Sequence, residues 1–167
     1  MQKNFLLVLL LCTLCIAGCG VYSFTGASIS PDIKTVSVAF FQNRASTVQP
    51  SLSQSFTEKL KDKFVSQTSL RLIPSNGDLQ FEGYFSDYKT SPIAIQGTQT
   101  AALNRLTITV NVKFTNTKDA KQNFETSFSR YSDYVSTKSL SEVELSLIDD
   151  INKQLIDDIF NKAVSNW

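Results

Sequence analysis

Alternating apolar and polar positions in the second half of the chain predict a β-hairpin. Apolar residues occupy every second position from Leu106 to Phe114, and threonine, asparagine and lysine fill the positions between them. This alternation is typical of a strand with one buried face and one polar face. Weaker alternation over 124–134 follows a polar turn at 116–122, so a second, antiparallel strand completes the hairpin.

Two more strands are predicted in the first half. Residues 35–41 alternate and then become continuously apolar, and residues 79–86 alternate Leu, Phe, Gly and Phe with polar side chains. Residues 70–73 form at most a short extended piece, and residues 74–78 have the composition of a turn. We interpret 90–104, which contains Pro92 and Gly97, as a longer connection.

Helical periodicity predicts two helices. Pro50 opens the first, and apolar residues then recur every four positions at Leu52, Phe56, Leu60 and Phe64. The second begins at a capping box, Ser139 to Glu142, and continues to about residue 164. Its predicted core stripe is Leu147, Ile148, Ile151, Leu155 and Ile159, widened by Leu145, Ile156, Phe160, Ala163 and Trp167. Its acidic residues should face water: Glu144, Asp149, Asp150, Asp157 and Asp158.

The element order is therefore β-α-β-β-β-α. It predicts an α+β fold with a four-stranded, mostly antiparallel (mixed) sheet packed against two helices. The first two strands are expected to be parallel because a helix connects them, and the last strands antiparallel. We expect one domain over residues 35–167.

The N-terminal residues have the pattern of a lipoprotein signal peptide. Lys3 precedes an apolar run over 5–16, which ends in Ile-Ala-Gly before Cys19. We predict that residues 1–18 are removed, that Cys19 carries the lipid anchor, and that 19–34 form a lipidated lead. Two or three acyl chains hold a protein firmly to a membrane, whereas a single acyl chain binds only weakly. The alternative is an ordinary signal peptide with a chance cysteine.

Composition argues against catalysis. The chain has no histidine, the commonest general base and metal ligand. Cys12 and Cys15 would leave with the signal peptide, so no Cys/His metal spacing would survive in the mature protein. We predict no enzymatic activity, no cofactor and no metal. The formal net charge of +1 gives no indication of nucleic-acid binding.

One predicted loop is unusually apolar. Residues 91–97 place Ile93 and Ile95 beside Gln96, where an ordinary loop would be more polar. These three residues are candidate contacts for a protein partner. The same composition also fits a loop folded onto its own domain, and both interpretations stay open.

Several stretches resemble the lipopolysaccharide-assembly lipoprotein family LptE, in the form found in Bacteroidetes-type bacteria. They are the Cys-Gly start at 19–24, the stretch Thr-Ala-Ala-Leu-Asn-Arg-Leu-Thr-Ile-Thr-Val at 100–110, and Phe-Ser-Arg-Tyr-Ser-Asp at 128–133. The element order and the acidic, amphipathic final helix also agree. The resemblance implies a subunit that plugs and helps assemble the outer-membrane β-barrel LptD, where lipopolysaccharide enters the outer leaflet.

The resemblance also implies a location and candidate residues. A lipid-anchored place on the periplasmic side of the outer membrane is expected, with an LptD-like barrel as partner and lipopolysaccharide as a further ligand. Lys138 matches a basic position linked to lipopolysaccharide contact, and Arg105 is the cation nearest to a second such position. Arg130 is expected to pair with a carboxylate. Two alternatives remain: a lipid-binding carrier lipoprotein, or an accessory subunit of another envelope assembly machine.

Overall fold

The computed structural model describes residues 29–47, 49–93 and 102–164. The predicted signal peptide, the anchor Cys19 and the candidate contacts Ile95 and Gln96 lie outside the described residues, as does Trp167.

Six strands and two long helices make up the described chain. In chain order they are β1 (Thr35–Val38), β2 (Gln42–Asn43), α1 (Pro50–Gln67), β3 (Arg71–Leu72), β4 (Leu79–Ile93), β5 (Leu103–Asn116), β6 (Phe124–Val135) and α2 (Leu140–Val164), with a short 3-10 helix at Ala120–Gln122 before β6.

The strands form a single mixed sheet in the order β3-β1-β4-β5-β6. β1 runs parallel to β3 and β4, β2 pairs in parallel with β4 beyond the end of β1, and β4, β5 and β6 are antiparallel. The predicted α+β class with two helices is confirmed. The predicted number of four strands is too small, because β2 and β3 add two-residue strands.

The prediction of a long connection over 90–104 is wrong for its first and last residues, which belong to β4 and β5. The β4–β5 register continues from Thr90 opposite Leu106 to Ile93 opposite Leu103. Pro92 is tolerated within β4 because β2 pairs with β4 only as far as Phe85, and no described strand pairs with that edge of β4 beyond it. A proline at an edge costs no ladder hydrogen bond.

The helices cover one face of the sheet and form the core with it. The predicted α1 stripe of Leu52, Phe56, Leu60 and Phe64 is fully buried. The α2 stripe is buried as predicted, but Leu145 is 71% exposed and does not belong to it.

Both helix starts follow from the sequence. Pro50 stands in the first turn of α1, and the Gln49 side chain accepts a hydrogen bond from the Ser51 N–H. At α2, the Glu142 carboxylate accepts from the Ser139 N–H and hydroxyl, both at 2.7 Å, which lowers the pKa of Glu142. In a full capping box the Glu142 N–H would also donate to the Ser139 hydroxyl, but here it donates to the Ser139 carbonyl at 3.2 Å, so half of the predicted box is formed.

The acidic residues of α2 do more than face water. Three of them form ion pairs that tie α2 to its neighbours: Lys59–Asp149, Lys63–Asp157 and Arg130–Asp158. The predicted carboxylate partner of Arg130 is therefore Asp158, bound through two hydrogen bonds at 2.6 and 2.7 Å.

Glu144 also has protein partners. It accepts hydrogen bonds from Tyr88 of β4 at 2.5 Å and from Gln49 before α1 at 2.7 Å. Burial and this hydrogen bond raise the pKa of Tyr88. The contact joins the sheet to the beginnings of both helices.

Candidate partner interface on the open sheet face

The face of the sheet opposite the helices carries polar side chains on β4, β5 and β6, and we call it the open face. On β5, every second residue is buried against the helices, and the residues between them turn the other way. The open face comprises Glu82, Tyr84, Asp87, Lys89, Ser91 and Ile93 of β4; Leu103, Arg105, Thr107, Thr109, Asn111 and Lys113 of β5; and Glu125, Ser127, Ser129, Tyr131, Asp133 and Val135 of β6.

Short polar side chains link the strands in the middle of the open face. The Thr109 hydroxyl donates to the Ser129 hydroxyl at 3.0 Å, and the Ser127 hydroxyl donates to the Asn111 side-chain oxygen. These pairs lie directly opposite in the β5–β6 register. Cross-strand pairs of this kind stabilise a sheet and leave its surface flat and hydrated.

Apolar residues occupy the end of the open face at which β4 ends and β5 begins. Ile93, Leu103 and Val135 stand side by side on the three strands, and we call them the apolar row. Val135 is 37% exposed, and Tyr131, two open-face positions back along β6, is 49% exposed. Ile93 is thus a partly exposed member of an apolar cluster, and Ile95 and Gln96 follow it outside the described residues.

Arg105 is held next to the apolar row. Its guanidinium donates two hydrogen bonds to Asp133, at 2.7 and 2.9 Å, and lies 3.5 Å from the centre of the Tyr131 ring. The bonds to Asp133 raise the pKa of Arg105. The Asp133 carboxylate offsets the charge of Arg105 and the Tyr131 ring covers one face of the guanidinium, so Arg105 attracts a further anion less than an unpaired cation would.

Lys138 lies at the same end of the sheet, in the turn between β6 and α2. Its backbone N–H donates to the Val135 carbonyl at 3.1 Å, and its side chain is exposed. The structure therefore brings Ile93, Arg105 and Lys138 to one end of the domain. Whether the two cations contact lipopolysaccharide stays a prediction.

A second feature of the open face was missed by the sequence reasoning. Between β1 and β2, Phe41 is fully buried while Phe40 is 59% exposed. The Phe41 ring fills the space over Gly83, where an added Cβ would lie 2.5 Å from a ring carbon and 2.2 Å from the Asn111 carbonyl oxygen. With Phe41 turned inward, Phe40 must turn outward. The sequence signals available for this feature are the Phe-Phe pair at 40–41 and, on a later strand, Gly83, whose missing side chain leaves room for one of the two rings.

Phe40 borders a cleft of about 370 Å³ at the half of the open face farther from the apolar row. Arg44 stacks on Tyr84 in this cleft, with 4.4 Å between the guanidinium carbon and the ring centre. The remaining lining residues are Ala39, Gln42, Glu82, Gly83, Asn111, Val112, Lys113 and Glu125. We call this site the Phe40 cleft.

The described residues hold neither a metal site nor a membrane-spanning helix. Over 29–47, 49–93 and 102–164, no group of three or more Cys, Asp or Glu side chains is placed to hold a metal ion. No helix in these ranges has the length and apolar character needed to cross a membrane.

Comparison with known proteins identifies a family. The sequence profile described as "LptE: Lipopolysaccharide-assembly" matches residues 33–163, which include all the strands and nearly the whole of α2. No functionally curated protein matches the sequence.

Solved structures of low sequence identity align with most of this chain, and the first of them, with a TM-score above 0.5, has the same fold. A neuraminyllactose-binding hemagglutinin homolog from Helicobacter pylori aligns with a TM-score of 0.51 and 9% identity, over 78% of this chain and 86% of that one. A minor lipoprotein from Acinetobacter baumannii aligns with a TM-score of 0.47 and 17% identity, over 79% and 96%. The rare lipoprotein B from Shewanella oneidensis aligns at 0.44 and 11%, over 77% and 90%.

Proposed function

The chain belongs to the LptE lipopolysaccharide-assembly family, and we propose that it is a lipid-anchored outer-membrane subunit that plugs and helps assemble an LptD-like β-barrel. In this role it braces the barrel through which lipopolysaccharide reaches the outer leaflet. The role requires binding and no bond-breaking step, so we propose that the protein is not an enzyme.

The open face is the observation that carries this proposal. Within 29–47, 49–93 and 102–164, no helix covers this side of the three long strands, and its side chains are mostly hydroxyl, amide and paired charged groups. Such a surface suits the polar, water-filled interior of an outer-membrane barrel. Internal pairing of its charges lets it meet a polar wall without leaving charges unpaired.

The apolar row gives the interface an anchor. Ile93, Leu103 and Val135 form a compact apolar patch at the edge of a polar surface, and the Arg105–Asp133 pair separates this patch from the exposed Tyr131 ring. Aromatic and aliphatic anchors within a polar rim dominate the energy of most protein interfaces. We propose that this end of the domain contacts the barrel wall.

Lipid on Cys19 would support the same interaction. A tether raises the local concentration of the domain beside its membrane partner and so strengthens binding without new contacts. It also accounts for a periplasmic position at the outer membrane.

Lipopolysaccharide contact is proposed at the same end. Lys138 offers an exposed ammonium group suited to a phosphate. Arg105 is the weaker candidate, because Asp133 and Tyr131 already engage it.

The test compares one substitution in two places. Ile93→Asp should reduce recovery of the barrel with the tagged protein in living cells at least about tenfold, since a carboxylate replaces an apolar anchor. Leu145→Asp makes a matched change at a side chain that is 71% exposed on α2, and it should leave recovery unchanged.

Both variants should melt at the wild-type temperature, which separates lost binding from lost folding. Equal recovery of the barrel with Ile93→Asp and wild type would remove the apolar row from the interface. Failure of the wild-type protein to recover any barrel would favour the carrier or accessory-subunit alternatives.

A further inference from the structure

The Phe40 cleft combines an exposed aromatic ring with a dense set of planar hydrogen-bonding groups. Phe40 is 59% exposed, although its burial would be favourable. Gln42 and Asn111 add amides, and Glu82 and Glu125 add carboxylates. Hydrogen bonding of the Asn111 side-chain oxygen to Ser127 turns the amide in a fixed direction.

The charges of the cleft cancel. Arg44 and Lys113 provide two cations, and Glu82 and Glu125 provide two anions, with Lys113 and Glu82 only 3.6 Å apart. A phosphate would meet two carboxylates, and an acyl chain would meet four charged groups whose desolvation is unfavourable. The cleft is therefore suited to a neutral ligand with many hydroxyl groups.

The shape of the cleft agrees with such a ligand. Its volume of about 370 Å³ falls within the range of small-molecule sites, roughly 300–1,000 Å³. Arg44 stacked 4.4 Å from the Tyr84 ring centre restrains that ring as part of the wall. A sugar ring presents an apolar C–H face that packs on an aromatic side chain and equatorial hydroxyls that bond to amides and carboxylates.

We propose that the Phe40 cleft binds a short neutral oligosaccharide. Resting on the proposed function, the source of this ligand is the sugar portion of lipopolysaccharide rather than its lipid A. The arrangement separates two tasks on one sheet face: the apolar row contacts the barrel, and the Phe40 cleft at the other half meets the passing sugar chain.

The test titrates the purified full-length chain in detergent with three probes. They are a neutral oligosaccharide from the outer sugar chain of lipopolysaccharide, free of lipid, phosphate and acidic sugars, then lipid A alone, and a free inorganic phosphate control. We expect the oligosaccharide to bind and to shift the amide resonances of 40–44 and 82–84. Lipid A and phosphate should leave those resonances unchanged.

Variants locate the binding. Phe40→Ala should lower the oligosaccharide affinity about tenfold, and Phe40→Tyr should restore it, because a ring contact of this kind corresponds to roughly that factor. Leu145→Ala, a matched loss of an exposed apolar side chain on α2, should bind as wild type does. Circular dichroism melts of each variant confirm that the fold is retained.

Two results would overturn the proposal: no oligosaccharide binding by the wild-type chain, or equal affinity in wild type and Phe40→Ala. Barrel recovery by Phe40→Ala keeps this test separate from that of the proposed function. If the wild-type chain recovers the barrel but binds no oligosaccharide, the sugar-binding proposal is wrong and the proposed role in the barrel is unaffected.

Discussion

The two faces of the sheet are built from the same strands but have opposite chemistry. On the covered face, phenylalanine rings pack in a chain, with ring centres 5.1 Å apart for Phe41–Phe56 and 4.7 Å for Phe64–Phe81. On the open face, the matching positions hold hydroxyls, amides and ion pairs. Most of the stability therefore comes from the covered face, and single changes on the open face, where each pair contributes little, should alter recognition without loss of the fold.

Neighbouring residues of β5 give the largest expected contrast. Val110 is fully buried, so Val110→Asp should destabilise the domain by about 3–5 kcal/mol, the cost of a buried charge without a partner. Asn111→Asp, one residue along on the open face, should change the free energy of unfolding by less than about 1 kcal/mol. Urea denaturation of both variants measures the difference, and similar losses would show that both faces carry the fold.

Substitution of Gly83 tests whether packing on the covered face determines the shape of the Phe40 cleft on the open face. Gly83→Ala should destabilise by about 1–3 kcal/mol, because the new methyl group would overlap the Phe41 ring and the Asn111 carbonyl. We also expect the Phe41 ring to shift and the Phe40 cleft to change shape. Ser86→Ala, at an exposed position of the same strand, is the control. Unchanged melting of Gly83→Ala would contradict the packing described for Phe41.

A third contrast concerns carboxylates. Asp78 accepts hydrogen bonds from the Lys34 and Thr35 N–H groups at 2.9 and 3.0 Å and from the Thr35 hydroxyl at 2.8 Å, which lowers its pKa from 3.8 to about 2. Its stabilising effect is complete above about pH 4 and is lost as the pH falls toward 2.

Asp78→Asn should therefore lower stability at neutral pH and flatten the acid side of the stability profile. Glu82→Gln removes one half of an exposed ion pair and should change stability by less than about 1 kcal/mol. Urea midpoints measured between pH 2 and pH 7 compare them. A wild-type acid slope in Asp78→Asn would assign the acid sensitivity to other groups.

The sequence predicted the elements whose side-chain period is long and regular. The structure confirms the helical stripes of Leu52 to Phe64 and Leu147 to Ile159 and the β5–β6 hairpin. These elements could be predicted because their pattern of buried residues repeats regularly over several helical turns or along a whole strand. β3 lies within the short extended piece expected over 70–73, but it was not counted as a strand, and β2 was not predicted at all. Both have two residues, and their pairing depends on β1 and β4 rather than on their own patterns.

The candidate site was less accessible to sequence reasoning. Arg105 and Asp133 are 28 positions apart, and their pairing follows only from the β5–β6 register. Phe40 and Phe41 are identical in type, so only the contact of Phe41 with Gly83 shows which ring is exposed. Because Pro92 is unusual within a strand, nothing in the sequence indicated that β4 continues to Ile93. This continuation places Ile93 in the apolar row.

Site-specific photo-cross-linking in living cells tests the central claim most directly. A photoreactive phenylalanine at Tyr131, 49% exposed on the open face beside the apolar row, is compared with one at Leu145, 71% exposed on α2. Our account predicts a strong adduct with the mass of the outer-membrane barrel from position 131 and little or none from position 145. The reverse pattern, or no barrel adduct from position 131, would contradict it.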